Sequence, residues 1–227
     1  MYEEIDYILL RYHHQVNTLR LKELRRFHVP TTNSFYSGRI TWWPVFKQNI
    51  YNSPVKKVDP SYFRGEVILY QVLGDENSKE LEIYHVYFKN GATTTVHYHE
   101  TDQVLIATKG RGIVGIINSN SIGDFDIEDI ETVPLIKEGD VVQIPAFKMH
   151  FHGAASKEEF SHIAIRQMYR LDNSTNEIRR AENKWESDII LEEYGDLDPS
   201  SRHEIEDKIE RALQNVITNN EETKASI

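Results

Sequence analysis

Thr93-Thr94-Thr95-Val96-His97-Tyr98-His99-Glu100 is the stretch on which the reading of this chain turns. β-Branched residues lead into two histidines two positions apart. In a strand, alternate side chains share a face, so both imidazoles project together while Tyr98 points away. Gln103 follows as the chain turns into the next strand-like run. Far along the sequence, Pro145-Ala146-Phe147-Lys148-Met149-His150-Phe151-His152 repeats the device with a second pair on one face. Three imidazoles and one oxygen donor converging inside a small barrel suit a divalent metal with open positions for a ligand. One such pair would read equally well as unrelated histidines on a sandwich; two pairs in one β-region weigh against that.

Working outward, the period-two pattern runs from Gly65 to about residue 170. Glu66–Leu73, Leu81–Phe88, Val104–Thr108, Gly112–Ile117, Val141–Ile144 and Ser161–Met168 are β-branched and aromatic, separated by Gly, Asn, Asp and Pro. Short strands at this spacing predict an all-β sandwich or barrel. Asn118–Thr132 reads as a polar, acidic connection. His85 sits in a run with apolar residues on both faces, so its direction stays open.

The flanks differ. Residues 2–27 carry an apolar face at helical spacing (Ile5, Ile8, Leu9, Tyr12, Val16, Leu19), with His13 and His14 on a partly exposed side. Residues 31–64, with Trp42, Trp43, Pro44, Pro54 and Pro60, read as an extended arm that packs on the barrel or on a second subunit. After Asp198-Pro199, Ser201 and Glu204 form a capping-box pattern. Ile205, Ile209, Leu213 and Val216 then give a helical stripe. The organisation expected is therefore a helix and arm over 1–64, a barrel over 65–170, and a C-terminal extension with an acidic helix over 171–227.

Composition narrows the chemistry. No cysteine occurs among the 227 residues, which excludes disulfides, thiolate metal sites, iron–sulfur clusters and cysteine nucleophiles. Net charge is −10, and residues 182–227 hold 13 acids against 5 bases. No basic stripe is present, so nucleic acid is not expected as a partner. Mean hydropathy is −0.54, and no apolar run approaches the ~18 residues of a membrane span. The acidic N-terminal stretch lacks the basic start of a secretory signal, which points to the cytoplasm.

Two strings look like other motifs and fail on context. Gly110-x-Gly112-x-x-Gly115 is followed by strand-like residues instead of a phosphate-binding helix. Asp124-x-Asp126-x-Glu128 opens like a calcium loop, but its sixth position is Asp129 where glycine is needed and its twelfth is Leu135.

Gly91-(five)-His97-x-His99-(three)-Gln103-(six)-Gly110 resembles the first motif of the cupins, and Gly139-(five)-Pro145-x-Phe147-(two)-His150 resembles their second. The run His150-Phe151-His152-Gly153-Ala154, with His162-Ile-Ala-Ile and Glu182-Asn-Lys-Trp185, is similar to a subgroup of small cupins with a His-Trp-His-Gly-Ala signature. Gln103 stands where the general pattern has Glu, a feature common in that subgroup. Phe147 replaces the usual Gly, and Ala154 the usual Asn.

The resemblance implies an all-β cupin double-stranded β-helix, a jelly-roll barrel that usually pairs as a homodimer, with His97, His99, Gln103 and His150 as metal ligands. Imidazole suits Mn, Fe, Co, Ni or Zn alike, so the metal stays open. A neutral Gln leaves a bound divalent ion its full charge, which favours a small anionic, chelating ligand. His152 offers two roles, an acid, base or substrate donor beside the metal, or a supporting histidine. Arg166 and His162 alternate on one strand face; Arg166 reads either as a clamp for a substrate carboxylate or as an exterior salt-bridged residue. The expected activity is dioxygenase-like, or isomerase or lyase chemistry through a metal-stabilised enolate, with a non-catalytic metal- or ligand-binding protein as the alternative.

Overall fold

A computed structural model describes residues 45–135 and 137–222. The expected helix over 2–27, His13, His14 and the Trp42–Trp43 contact lie outside the described residues. Among the described residues, fourteen strands form two facing sheets and a hairpin. The five-stranded sheet runs β2 (Val67–Leu73), β3 (Leu81–Phe88), β11 (Phe160–Gln167), β6 (Gln103–Gly110), β9 (Val141–Ile144). In the other sheet β10 (His150–Ala154) is central. It pairs on one side with β7 (Gly112–Ile117), which carries β8 (Ile130–Leu135), and on the other with β4 (Thr93–Thr94) and β5 (His97–His99). Beyond these lie β1 (Phe63–Arg64), paired with β4, and β14 (Asn183–Trp185), paired with β5. The strands β12 (Tyr169–Asp172) and β13 (Glu177–Arg180) form the separate hairpin. Every pairing among the described strands is antiparallel, as in a jelly roll.

Alternation along the strands builds two cores. Inward residues of both sheets, including Val86, Phe88, Leu105, Val114, Leu135 and Phe160, fill the space between them. Outward residues of the seven-stranded sheet, including Val96, Ile113, Ile117 and Phe151, meet two helices, α1 (Glu186–Tyr194) and α2 (Pro199–Glu222). The Ile209–Leu213–Val216 stripe is buried here, with Ile205 packed at its side. Close approach of β4 to β10 depends on Gly153, where a Cβ would lie 2.4 Å from the Ala92 carbonyl oxygen.

Three local expectations are corrected. The connection after Asn118 ends earlier than its polarity suggests, because Ile130–Leu135 pairs along β7. Pro134 is tolerated there since β8 has a strand on one side only. The C-terminal helix begins at Pro199, not after Ser201. Asp198 caps it, accepting from Ser200 N at 3.0 Å and Ser201 N at 3.2 Å. The arm before β1 is not wholly irregular. Short 3-10 turns occupy Ile50–Asn52 and Pro60–Tyr62, and Val55 bridges to Tyr70 on β2. The direction of His85 is now given: it faces away from the barrel interior, its ring 5.2 Å from that of Tyr51 and 5.9 Å from Tyr70.

Candidate metal centre

The imidazoles meet because of register. His97 on β5 lies opposite His150 on β10, and β14 places Trp185 opposite His97 and Asn183 opposite His99. One ligand atom from each of His97, His99 and His150 lies within 4.8 Å of the others, and all three residues are buried. Gln103 begins β6 on the facing sheet, and its Oε1 is 3.2 Å from His150 Nε2.

Each ring has its other nitrogen engaged. His97 Nδ1 is 2.9 Å from Thr95 O, His150 Nδ1 is 2.7 Å from Lys148 O, and His99 Nδ1 is 2.7 Å from Asn183 Oδ1. Arg166 NH1 also lies 2.8 Å from His99 Nδ1, so that nitrogen meets both a donor and an acceptor. With the protons of His97 and His150 on Nδ1, their Nε2 lone pairs are left for the shared space. Burial, the largest cause in each case, holds all three rings in the neutral form that binds metal. His150 is pushed down to about 4, and His97 and His99 well below their ordinary value.

Two observations fit a cation here. His99 Nε2 is buried without a partner. A neutral imidazole has one N–H, so His150 cannot donate to both Lys148 O and Gln103 Oε1. With the proton on the shorter contact, two lone pairs face one another across 3.2 Å, an arrangement that a positive ion between them relieves.

The turn that delivers His150 keeps its shape despite Phe147. That residue takes φ of +63°, the left-handed region that the usual glycine enters without strain. Phe147 N donates to His99 O at 2.7 Å, and Ala146 N to Asp102 Oδ1 at 2.9 Å, which ties the turn to both β5 and the start of β6. The ring lies over the Arg170 guanidinium at 4.8 Å.

A cavity of about 190 Å³ opens beside the imidazoles, small against the ~300–1,000 Å³ of drug-sized sites. His97, His99, Gln103, His152 and Arg166 line it together with apolar residues such as Leu69, Val86 and Ala164. His152 N donates to Thr94 Oγ1 at 3.0 Å, and its Nδ1 is 3.1 Å from His162 Nε2. His162 is fully buried behind His152, between Phe88 and Phe160, and is not part of the cavity wall.

Arg166 does face the cavity, but Glu82 holds it at 2.7 Å and Asn183 Oδ1 accepts from it as well. Tyr84 OH donates to the other Glu82 oxygen at 2.5 Å and accepts from Lys56 Nζ at 2.7 Å. Burial and this bond to Glu82 raise the Tyr84 phenol above its ordinary value.

Sequence reasoning did not select Asn183, Trp185, Glu82, Tyr84 or Lys56. Trp185 stacks on His97 at 4.5 Å and on Tyr62 at 4.2 Å, walling one side of the cavity. The tryptophan and asparagine belong to a run already notable in the sequence, but their roles follow from β14 pairing with β5, which has no local signature.

A two-sheet antiparallel jelly roll with three buried imidazoles that could hold a metal ion is the class that fold and site define. Residues 51–170 match the model of the cupin family, and the chain belongs to it. No curated protein matches. Solved structures similar to the chain include a cupin-like protein from Thermotoga maritima, 29% identical over 62% of this chain and 94% of that one, with a TM-score of 0.43. KdgF from a Halomonas species is 22% identical over 52% and 89% of the two chains, with a TM-score of 0.37. A predicted oxalate decarboxylase from Thermotoga maritima is 16% identical over 54% and 98%, with a TM-score of 0.43. Among the described residues no helix is long and apolar enough to cross a membrane.

Proposed function

We propose that this protein is a metal-dependent enzyme acting on a small, oxygen-rich organic anion, and that His97, His99, Gln103 and His150 hold the metal. The observation that carries the reading is the set of three buried imidazoles within 4.8 Å of one another, each with its Nδ1 engaged elsewhere. A divalent transition ion at these atoms supplies Lewis acidity, and a redox-active one adds dioxygen chemistry.

The chain's own residues do the rest. Neutral Gln103 leaves the centre fully positive, which favours an anionic chelating ligand over water. Asn183 and the backbone oxygens of Thr95 and Lys148 keep the three rings aimed. Leu69, Val86 and Trp185 exclude water from the ligand's far side. His152, with Nδ1 turned to His162, has Nε2 left to give or take a proton at a substrate oxygen or carbon. The leading reaction is a dioxygenase-type oxidation with dioxygen as the oxidant; isomerase or lyase chemistry next to a carboxylate is the second.

Untagged protein should contain about one equivalent of a transition metal by elemental analysis, and His97→Ala should lose it while circular dichroism shows the β fold intact. His152→Gln should keep the metal and lower turnover of small hydroxy- or oxo-acids by ~10²–10⁴. Full metal in His97→Ala removes the ligand assignment. A metal-loaded protein that binds such acids without converting them is a binding protein and no enzyme.

A further inference from the structure

The charge lining the cavity is the part of the molecule that the metal reading leaves unexplained. In a chain of net charge −10, no carboxylate among the described residues lines this cavity, and two cations do, Lys56 and Arg166. They are not equivalent. Arg166 is already neutralised by Glu82, 2.7 Å away, and its other donors reach Asn183 and His99 Nδ1. Its counter-charge lies behind the wall, so it presents a polar surface more than a net charge.

Lys56 is different. Among the described residues no carboxylate lies within ion-pair distance of its ammonium, and its named partner is the phenol oxygen of Tyr84 at 2.7 Å. That bond uses one of three N–H donors. Tyr84 is itself committed to Glu82, so its oxygen cannot supply a negative charge to the lysine.

Lys56 is also held in place. Its backbone N donates to Leu69 O at 2.8 Å, Gln71 N donates to Pro54 O at 2.9 Å, and Val55 bridges Tyr70. The segment therefore runs as an extra edge on β2 and turns the lysine over the ring of Tyr84, 4.8 Å from its centroid. An unpaired, positioned cation in a cavity without carboxylates is a recognition element for an anion.

The geometry points to Lys56 as the residue that selects the substrate: it receives a second anionic group, a carboxylate, of a small dianionic acid whose first oxygen-bearing end lies at the imidazoles. This rests on the metal reading given above and deepens it. The cavity of about 190 Å³ suits a short diacid, and its apolar side residues cover the carbon chain between the two ends. A monoacid of equal length would leave the ammonium facing methyl groups. Arg166, in this arrangement, orients Asn183 and His99 and does not clamp the carboxylate.

Calorimetric titration of full-length protein loaded with zinc, which is redox-inert, tests this with malonate and succinate against propionate and butyrate. Wild type should prefer each diacid over its matched monoacid by ~10-fold or more, the size expected of a charge-assisted hydrogen bond. Lys56→Met should lose that preference while leaving monoacid affinity unchanged, and Lys56→Arg should restore most of it. A wild type without diacid preference, or a preference that survives in Lys56→Met, overturns the assignment. Diacid binding of equal strength after the metal is stripped would sink the metal reading alone, and the Lys56→Met comparison would still decide the role of the lysine.

Discussion

The two cores of this protein are built from the same strands and differ in what they are for. On the outer face of the seven-stranded sheet, Val96, Ile113, Ile117 and Phe151 pack with Ile190, Ile209 and Leu213, and at the edge of this contact buried Glu186 accepts from Val96 N at 3.2 Å and pairs with Arg64. On the inner face the neighbours of those residues on the same strands include His97, His99, His150 and His152. The inner core begins apolar, around Phe88, Leu105 and Phe160, and becomes a nest of imidazoles and paired charges toward the cavity. Strand alternation lets one sheet carry stability on one side and chemistry on the other. The helices take over packing that the barrel interior forgoes.

That division predicts different penalties on the two sides. Leu213→Ala, fully buried between α2 and the sheet, should cost about 2–5 kcal/mol of unfolding free energy and leave metal stoichiometry unchanged. Denaturant melts of metal-free protein beside elemental analysis check both halves. Loss of metal in Leu213→Ala at temperatures where it stays folded would break the comparison.

Acid should act mainly through the inner side, with His85, lowered by burial on the outer face, adding to it. In the metal-free protein, burial holds His150 down to about 4 and His162 down to about 3, and it keeps His97, His99 and His152 well below their ordinary value. The unfolded chain takes up these protons from about pH 6.5 downward. The unfolded state then binds more protons, so stability falls as pH drops through about 6.5 toward 4, by up to ~1.4 kcal/mol per pH unit for each ring, and is insensitive to these groups above about 8. A flat stability profile between pH 7 and 4 would mean that the rings are charged in the fold.

Smaller changes probe the support of the ligands. Asn183→Ala should remove the one acceptor at His99 Nδ1, leaving Arg166 there, and lower metal affinity ~10–100-fold, the usual range for such partners, with little effect on folding. Gln103→Glu adds a negative charge to the centre. It should bind metal more tightly and oxalate less tightly, measured at matched metal loading; equal oxalate affinities would mean that charge at this position does not select the ligand.

Phe147→Gly should be the mildest. Relief of the left-handed backbone is worth about 1 kcal/mol, and it is offset by a loss of similar size as the ring leaves the Arg170 guanidinium. A chemical melt within ~0.5 kcal/mol of wild type is expected, and a large shift either way would show that one of these two effects dominates.

Much of the barrel was legible because strand periodicity is a local property. Leu81–Phe88 and Gly112–Ile117 coincide with β3 and β7, and the paired spacing at 97/99 and 150/152 announced shared faces. β8 was not legible, because Pro134 and its acids mask a strand that needs support from one neighbour only. Depth along a strand was equally hidden. His162 and Arg166 do share a face of β11, but their partners across the sheet, Val86 and Glu82, set one in apolar packing and the other at the cavity. Asn183 gains its meaning from lying opposite His99, and Glu82 from lying opposite Arg166, which are facts of register with no trace in local composition.

The bracketing of His97 between β10 and β14 also sets a timetable for biosynthesis. The donor residues at 97, 99 and 103 leave the ribosome long before His150, and the strand that aims His99 and walls the cavity arrives only with residues 183–185. Contacts that distant in sequence close late, because the loop entropy must be overcome before they form. On the proposed metal reading, capture therefore waits until residues 183–185 have been made, and the nascent barrel passes through synthesis of the preceding strands with an incomplete set of supports.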